Sequence, residues 1–137
     1  MTHEAKRDIV ARIAAGADSV GVDEIYIVDE PFRIASMALD WMPLKAKVVR
    51  LGIELHHDAT DTERAVRAFV GEGVEVIVSL GGDGTNRIIA RSAPQIELIP
   101  LSTGTNNVFP SMVEPTSAGV IAALAARGRF SDDAARG

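Results

Sequence analysis

The sequence predicts an α/β fold, a doubly wound three-layer structure with a parallel sheet between helices. Two observations carry that expectation. Segments with apolar residues at every third or fourth position alternate along the chain with short β-branched runs, and the connections are short, as in parallel strands joined by right-handed crossovers. The composition agrees, since 47% of the 137 residues are hydrophobic but only 4% aromatic, so small branched side chains must fill the interior. A chain of this length buries roughly 68–70% of its unfolded surface, which suits a single domain over residues 1–137.

The first helix is read over 4–17, where Ile9, Val10, Ile13, Ala14 and Ala17 form one stripe and Gly21 follows as a stop. A β-branched and aromatic run at 25–28 is the first strand, ending at Asp29. Pro31 opens a second helix carrying Ile34, Ala38, Leu39 and Met42, and Pro43 ends it. Val49, Leu51, Ile53 and Leu55 alternate with Arg50, Gly52 and Glu54, the period of a strand with one buried face near a sheet edge. Thr60 and Glu63 have capping-box spacing, and Val66, Phe69 and Val70 line one face of the helix they open. Residues 74–80 are nearly all apolar, which predicts a strand covered on both faces in the middle of the sheet. A glycine turn at 81–84, a helix reaching residue 93, a stop at Pro94 and a strand at 96–101 follow. A polar loop at 102–107 and a helix at 117–127 complete the pattern.

The 14 basic and 19 acidic residues leave a net charge of −5, which excludes a broad nucleic-acid footprint. Any bound phosphate must be held locally. Without cysteine there is no disulfide framework, thiolate metal site or cysteine nucleophile. No signal peptide and no apolar stretch of ~18 residues is present, so a soluble cytoplasmic protein without a membrane partner is expected. There is no P-loop lysine motif and no nucleophile elbow, and the glycine turn lacks the Rossmann spacing of a hydride-transferring dehydrogenase. His56, His57 and Asp58 are adjacent in an extended stretch, so their side chains point to opposite faces and read as a solvated loop. Trp41 and Met42 read as core filler. Arg87 and Arg91 form a helix face that serves phosphate or solvent equally well.

In open parallel sheets, ligands sit outside the carboxyl ends of the strands, and both polar loops leave consecutive strands at that edge. Gly81, Gly82 and Gly84 remove the Cβ atoms that would keep a phosphate from the backbone. Thr85 or Asn86 then caps a helix whose amino end carries about half a positive charge, so a small-molecule nucleotide can be held by amides. Asp83 stands among those glycines. A carboxylate beside a phosphate is repelled unless it binds Mg²⁺ or takes a proton from the attacking hydroxyl, and both roles belong to phosphoryl transfer. In the second loop Ser102, Thr103, Thr105, Asn106 and Asn107 surround Gly104, a set of neutral donors and acceptors suited to ribose hydroxyls and phosphate oxygens.

These two loops resemble those of a known superfamily. The run from Gly81 to Thr85, followed by the loop Gly104-Thr105-Asn106-Asn107, is similar to motifs of NAD kinases, diacylglycerol and sphingosine kinases, and phosphofructokinases. Extended to 81–87 and 100–110, the resemblance points to the ATP-NAD-kinase-like proteins of the acetoin-catabolism protein X type. It implies the N-terminal nucleotide-binding domain of an ATP-dependent kinase, a transferase in which Gly81, Gly82, Gly84, Thr85 and Asn86 contact the phosphates of ATP. By the same resemblance Thr103, Gly104, Thr105, Asn106 and Asn107 line the nucleotide crevice. Asp83 is then the catalytic residue, serving Mg²⁺ indirectly or the acceptor hydroxyl, with the NAD 2′-hydroxyl as a candidate acceptor.

Members of this superfamily open with a strand and an Asn-Pro loop and continue into a β-rich second domain. Neither pattern is found in residues 1–137, so the expected sheet is one strand short. The Asn-Glu or Asn-Asp pair with which NAD kinases grip their dinucleotide is not found either, and Asn107 stands where lipid kinases carry aspartate. Two alternatives therefore stay open: a non-catalytic nucleotide-binding or regulatory module, and a lipid kinase relative of the diacylglycerol type. An apolar sheet edge left open pairs with itself, so a homodimer is expected.

Overall fold

The computed structural model describes residues 2–29, 33–101 and 114–126. In chain order they form α1 (His3–Val20), β1 (Glu24–Val28), α2 (Ile34–Leu39), β2 (Lys47–Leu51), α3 (Thr60–Gly71), β3 (Val76–Ser79), α4 (Asp83–Ser92), β4 (Glu97–Pro100) and α5 (Pro115–Ala126). This is the alternation that the hydrophobic periods predict, except that β2 starts at Lys47 and stops at Leu51, so Ile53 and Leu55 of the expected strand lie beyond it. Pro31 and the loop at 102–107 lie outside the described residues. Among the described residues no helix is long and apolar enough to cross a membrane.

Side chains near the helix ends fix where several elements start and stop. Thr2 Oγ1 accepts the amide of Ala5 at 3.0 Å and opens α1. Gly21, with φ of 98°, closes it in the left-handed region, its amide donating to the Asp18 carbonyl. The Asp18 carboxylate accepts the amides of Lys45 and Ala46 at 3.1 and 2.8 Å, which ties the end of α1 to the entry of β2. At α3 the expected capping box does not form. Thr60 already lies inside the first turn, and the residue at the cap is Ala59, with no side-chain bond. The Asp61 carboxylate instead accepts the amides of His56 and His57 at 2.7 and 2.8 Å, and Glu63 lies near Arg67 and Arg91.

The helices divide by contact into two groups. α1 touches α2 and α5, while α3 touches α4. Helices α1 and α5 cross so closely that a Cβ on Gly16 would lie 2.1 Å from the Thr116 carbonyl oxygen, and one on Gly119 would lie 1.9 Å from that of Ile13. Only glycine fits at either position. Trp41, expected in the core, is 90% exposed, because α2 ends at Leu39 and it is Leu39 and Met42 that turn inward.

The strands form two parallel pairs rather than the expected single sheet with β3 in its middle. β1 pairs with β2, Glu24 opposite Lys47, and β3 pairs with β4, Val76 opposite Glu97. Each pair has its own core: Ala14, Ile27 and Leu39 for the first, Val66, Ile77, Ile89, Ala93 and Ile96 for the second. Between β1 and β3, where a continuous sheet would have a ladder, lies a cavity of about 1130 Å³ lined by every residue of both strands. Helix α5, which touches α1, β3 and β4, helps bridge the two halves.

Candidate functional site

The carboxyl end of β3 runs directly into the glycine turn. The Gly81 amide donates to the hydroxyl of buried Ser79 at 3.2 Å, which holds the chain as it leaves the strand. Gly82 sits at the cap position of α4 in extended conformation and Asp83 is the first helical residue, so Thr85 and Asn86, expected at the cap, lie inside the helix, which starts earlier than the sequence predicts. The first helical bond runs from the Asn86 amide to the Gly82 carbonyl at 3.0 Å, and no side chain caps this end. The amides of Asp83, Gly84 and Thr85 precede that bond, so the positive end of the helix dipole lies at the turn.

The glycines differ in what they do. A Cβ on Gly81 would lie 2.6 Å from the Thr85 Cβ and Cγ2, so the turn closes on Thr85 only because residue 81 has no side chain. Gly82 and Gly84 are exposed, and a Cβ on either would meet nothing within 4 Å. The space over them is free for a ligand. Gly81 and Thr85 also line the cavity between the strand pairs.

One feature of this turn has no signature in the sequence. The Asn86 side-chain oxygen is buried without a hydrogen-bond partner, a state that costs about 1–3 kcal/mol. The residue type was legible, but the orphaned acceptor depends on how α4 sits on β3. A second unanticipated link lies at the end of β1, where Asp29 accepts the amide of fully buried Ser36 at 3.1 Å and also its hydroxyl.

Gly81, Gly82, Asp83, Gly84, Thr85 and Asn86 are thus brought into one turn. Thr103, Gly104, Thr105, Asn106 and Asn107 lie outside the described residues. What is described is their approach: the Leu101 amide donates to the Ser79 carbonyl at 2.8 Å, so the chain enters the second loop beside the residue from which the first departs. Arg91 lies 3.8 Å from Glu63 of α3, whereas Arg87 is exposed one turn beyond Asp83. His56 sits 3.3 Å from Glu54, in the loop that Asp61 organises. Among the described residues no group of three or more His, Cys, Asp or Glu side chains is arranged to hold a metal ion. A magnesium ion that keeps its waters and binds phosphate needs only one or two carboxylates, and exposed Asp83 beside the turn fits that requirement.

Comparison with known proteins shows the family of the chain. Acetoin catabolism protein X of Cupriavidus necator is 34% identical over 141 residues, covering 90% of this chain and 36% of that protein. An uncharacterized protein of Archaeoglobus fulgidus is 30% identical over 80% of this chain and 32% of its own. A probable lipid kinase YegS-like protein of Xanthomonas campestris pv. campestris is 26% identical over 61% of this chain and 30% of its own. The chain therefore spans about a third of the length of these relatives. No solved structure matches. The family profile described as the ATP-NAD kinase N-terminal domain matches residues 26–130, more than half of the chain, and the protein belongs to that family.

Proposed function

We propose that this chain is the nucleotide-binding part of an ATP-dependent phosphotransferase, with the phosphates of ATP resting on the glycine turn after β3. The observation that carries the reading is the uncapped amino end of α4, whose first amides adjoin open space over Gly82 and Gly84. Such an end binds phosphate through N–H groups and dipole together, which suits a chain with a net charge of −5. Asn86 offers its orphaned oxygen to a donor on the ligand, such as a ribose hydroxyl. Thr103, Gly104, Thr105, Asn106 and Asn107 would close the crevice from the neighbouring loop.

Asp83 has two compatible tasks. Its carboxylate would hold one of the waters of Mg²⁺, or accept the proton from the acceptor hydroxyl as that oxygen bonds to the γ-phosphorus and the bond from the γ-phosphorus to the bridging oxygen breaks, releasing ADP. The ion would neutralise charge on the β- and γ-oxygens. The NAD 2′-hydroxyl is the first acceptor to test, given the family. A lipid hydroxyl is the second, favoured by the YegS-like relative.

Titration of ATP with magnesium into the wild type and two variants tests the site. Gly82→Val should fold normally, since its side chain enters open space, yet weaken ATP by about tenfold or more, ~1.4 kcal/mol. Asp83→Ala should keep most affinity and lose about 10²–10⁴ of any turnover measured by mass spectrometry with ATP, magnesium and NAD or diacylglycerol. Unchanged affinity in the Gly82 variant removes the phosphate from this turn. Binding without product from either acceptor identifies a nucleotide-binding module.

A further inference from the structure

A carboxylate that the phosphate site does not use stands at the same edge of the structure as the glycine turn. Asp29 follows β1 directly, as Leu80 and Gly81 follow β3, and Asp29, Gly81 and Thr85 all line the cavity between the two strands. Both strands point toward this edge. The Tyr26 hydroxyl donates to Glu24 at 3.0 Å, and the Tyr26 pKa is raised first by that bond and more weakly by the charge of Glu72, which stands before β3. The residues that lead into β3 are thus beside the amino half of β1, so the carboxyl ends of β1 and β3 come together, where ligands of open parallel sheets sit.

The Asp29 carboxylate is held in one orientation. Arg33, at the cap of α2, has φ of 52° and no side-chain bond to the helix, so Asp29 supplies the acceptor that a cap residue would give. One Asp29 oxygen accepts the Ser36 amide at 3.1 Å, and the other accepts the Ser36 hydroxyl. Ser36 is fully buried, whereas Asp29 is half-buried and reaches the cavity. A carboxylate has about four lone-pair sites, so Asp29 keeps acceptor capacity beyond what Ser36 uses. Asp61 lines the same cavity but is committed to the amides of His56 and His57 and to Arg64.

Charge decides what Asp29 receives. An ionised carboxylate accepts hydrogen bonds and cannot donate, and it repels phosphate unless a cation lies between them. The carboxylate at the phosphate end of this site is Asp83, in the turn itself. Asp29, on the other strand, is left for an uncharged part of the ligand that carries donors. A nucleotide is longer than the turn that holds its phosphates, so its sugar extends over a neighbouring strand. We infer that Asp29 accepts a ribose hydroxyl of the nucleotide, which rests on the phosphates lying on the glycine turn, and that it makes the site selective for ribonucleotides over their deoxy counterparts. Ser36 is the positioning residue that aims the carboxylate. A ribose carries two hydroxyls, so Asp29 and Asn86 need not compete for one donor. A hydrogen bond to an ionised acceptor is roughly twice as strong as one between neutral groups, so the hydroxyl on Asp29 carries the larger share of the preference.

Calorimetric titration of ATP, 2′-deoxyATP and 3′-deoxyATP, each with magnesium, into the whole chain and three variants tests this. Wild type should bind one of the two deoxynucleotides at least about tenfold more weakly than ATP. Asp29→Ala should lose about tenfold in affinity for ATP and bind that deoxynucleotide as wild type does, so the preference disappears. Asp29→Asn keeps an acceptor for the Ser36 amide and loses only the charge, which keeps the result readable if alanine unseats α2. It should retain a smaller preference than wild type. Ser36→Ala, which frees one carboxylate oxygen, should reduce the preference while leaving the affinity for that deoxynucleotide unchanged. A purely structural role for Asp29 would weaken all three nucleotides alike, and that result, or a full preference in both Asp29 variants, would overturn the inference. ATP binding to wild type with no preference among the three overturns it alone, whereas no ATP binding at all overturns it together with the phosphate site.

Discussion

Asp61 shows how a single side chain sets a local pH limit. Its pKa is lowered from 3.8 to about 2, first by the amide of His56 and then by the Arg64 side chain and the amide of His57. A group whose folded pKa is depressed stabilises the fold above its unfolded pKa and loses that contribution as pH falls through the folded value. The loop at 56–61 should therefore hold at neutral pH and loosen on acidification from 3.8 toward 2, seen as faster exchange of the His56 and His57 amides. Asp61→Asn should loosen the loop at every pH and flatten that dependence. Asn86 makes the opposite expectation. Replacing it with alanine removes an acceptor that has no partner in the free protein, so thermal stability should stay level or rise while ATP affinity falls by about tenfold.

Among the elements, the crossing of α1 and α5 is the least tolerant of change. Alanine in place of glycine inside a helix ordinarily gains up to about 1 kcal/mol. At Gly16 and Gly119 the added carbon would meet backbone carbonyls, which cannot rotate away, so each change to alanine should cost a net ~1–3 kcal/mol. Thermal unfolding should register that as a lowering of roughly 4 °C per kcal/mol. The helices and strands themselves were legible because burial leaves a period: Ile9, Val10, Ile13 and Ala17 mark α1, and the apolar run at 74–80 marks β3. The cap at α3 was not, because the Asp58 carboxylate accepts the Thr60 amide at 2.9 Å, while Asp61 bonds back to the amides of His56 and His57 ahead of the helix. Trp41 was misread for a similar cause. Its type says core, but the helix ends two residues before it.

Over the whole molecule, strand direction was legible and strand partnership was not. An apolar strand declares that it is covered, and says nothing about which element covers its edge. The glycine turn could be located because its residues are contiguous, though its helix begins at Asp83 and not after a cap at Thr85 or Asn86, whereas the cavity is built from β1 and β3, some 50 residues apart. The two strand pairs share no ladder, and each has its own core. Native-state hydrogen exchange against denaturant should accordingly resolve two opening units, one containing Ile27 and the other Ile77, with separate midpoints. A single shared opening for both residues would overturn this expectation.

The close packing of α1 against α5 also has a bearing on how the polypeptide matures. The chain leaves the ribosome amino end first, at roughly 5–20 residues per second, so α1 emerges some seconds to tens of seconds before α5 can reach it. During that interval the narrow face around Gly16 is open to any other apolar surface nearby. Newly made copies at high expression should therefore be at greatest risk of aggregation before synthesis is complete, and coexpressed holdase chaperones should raise the soluble yield.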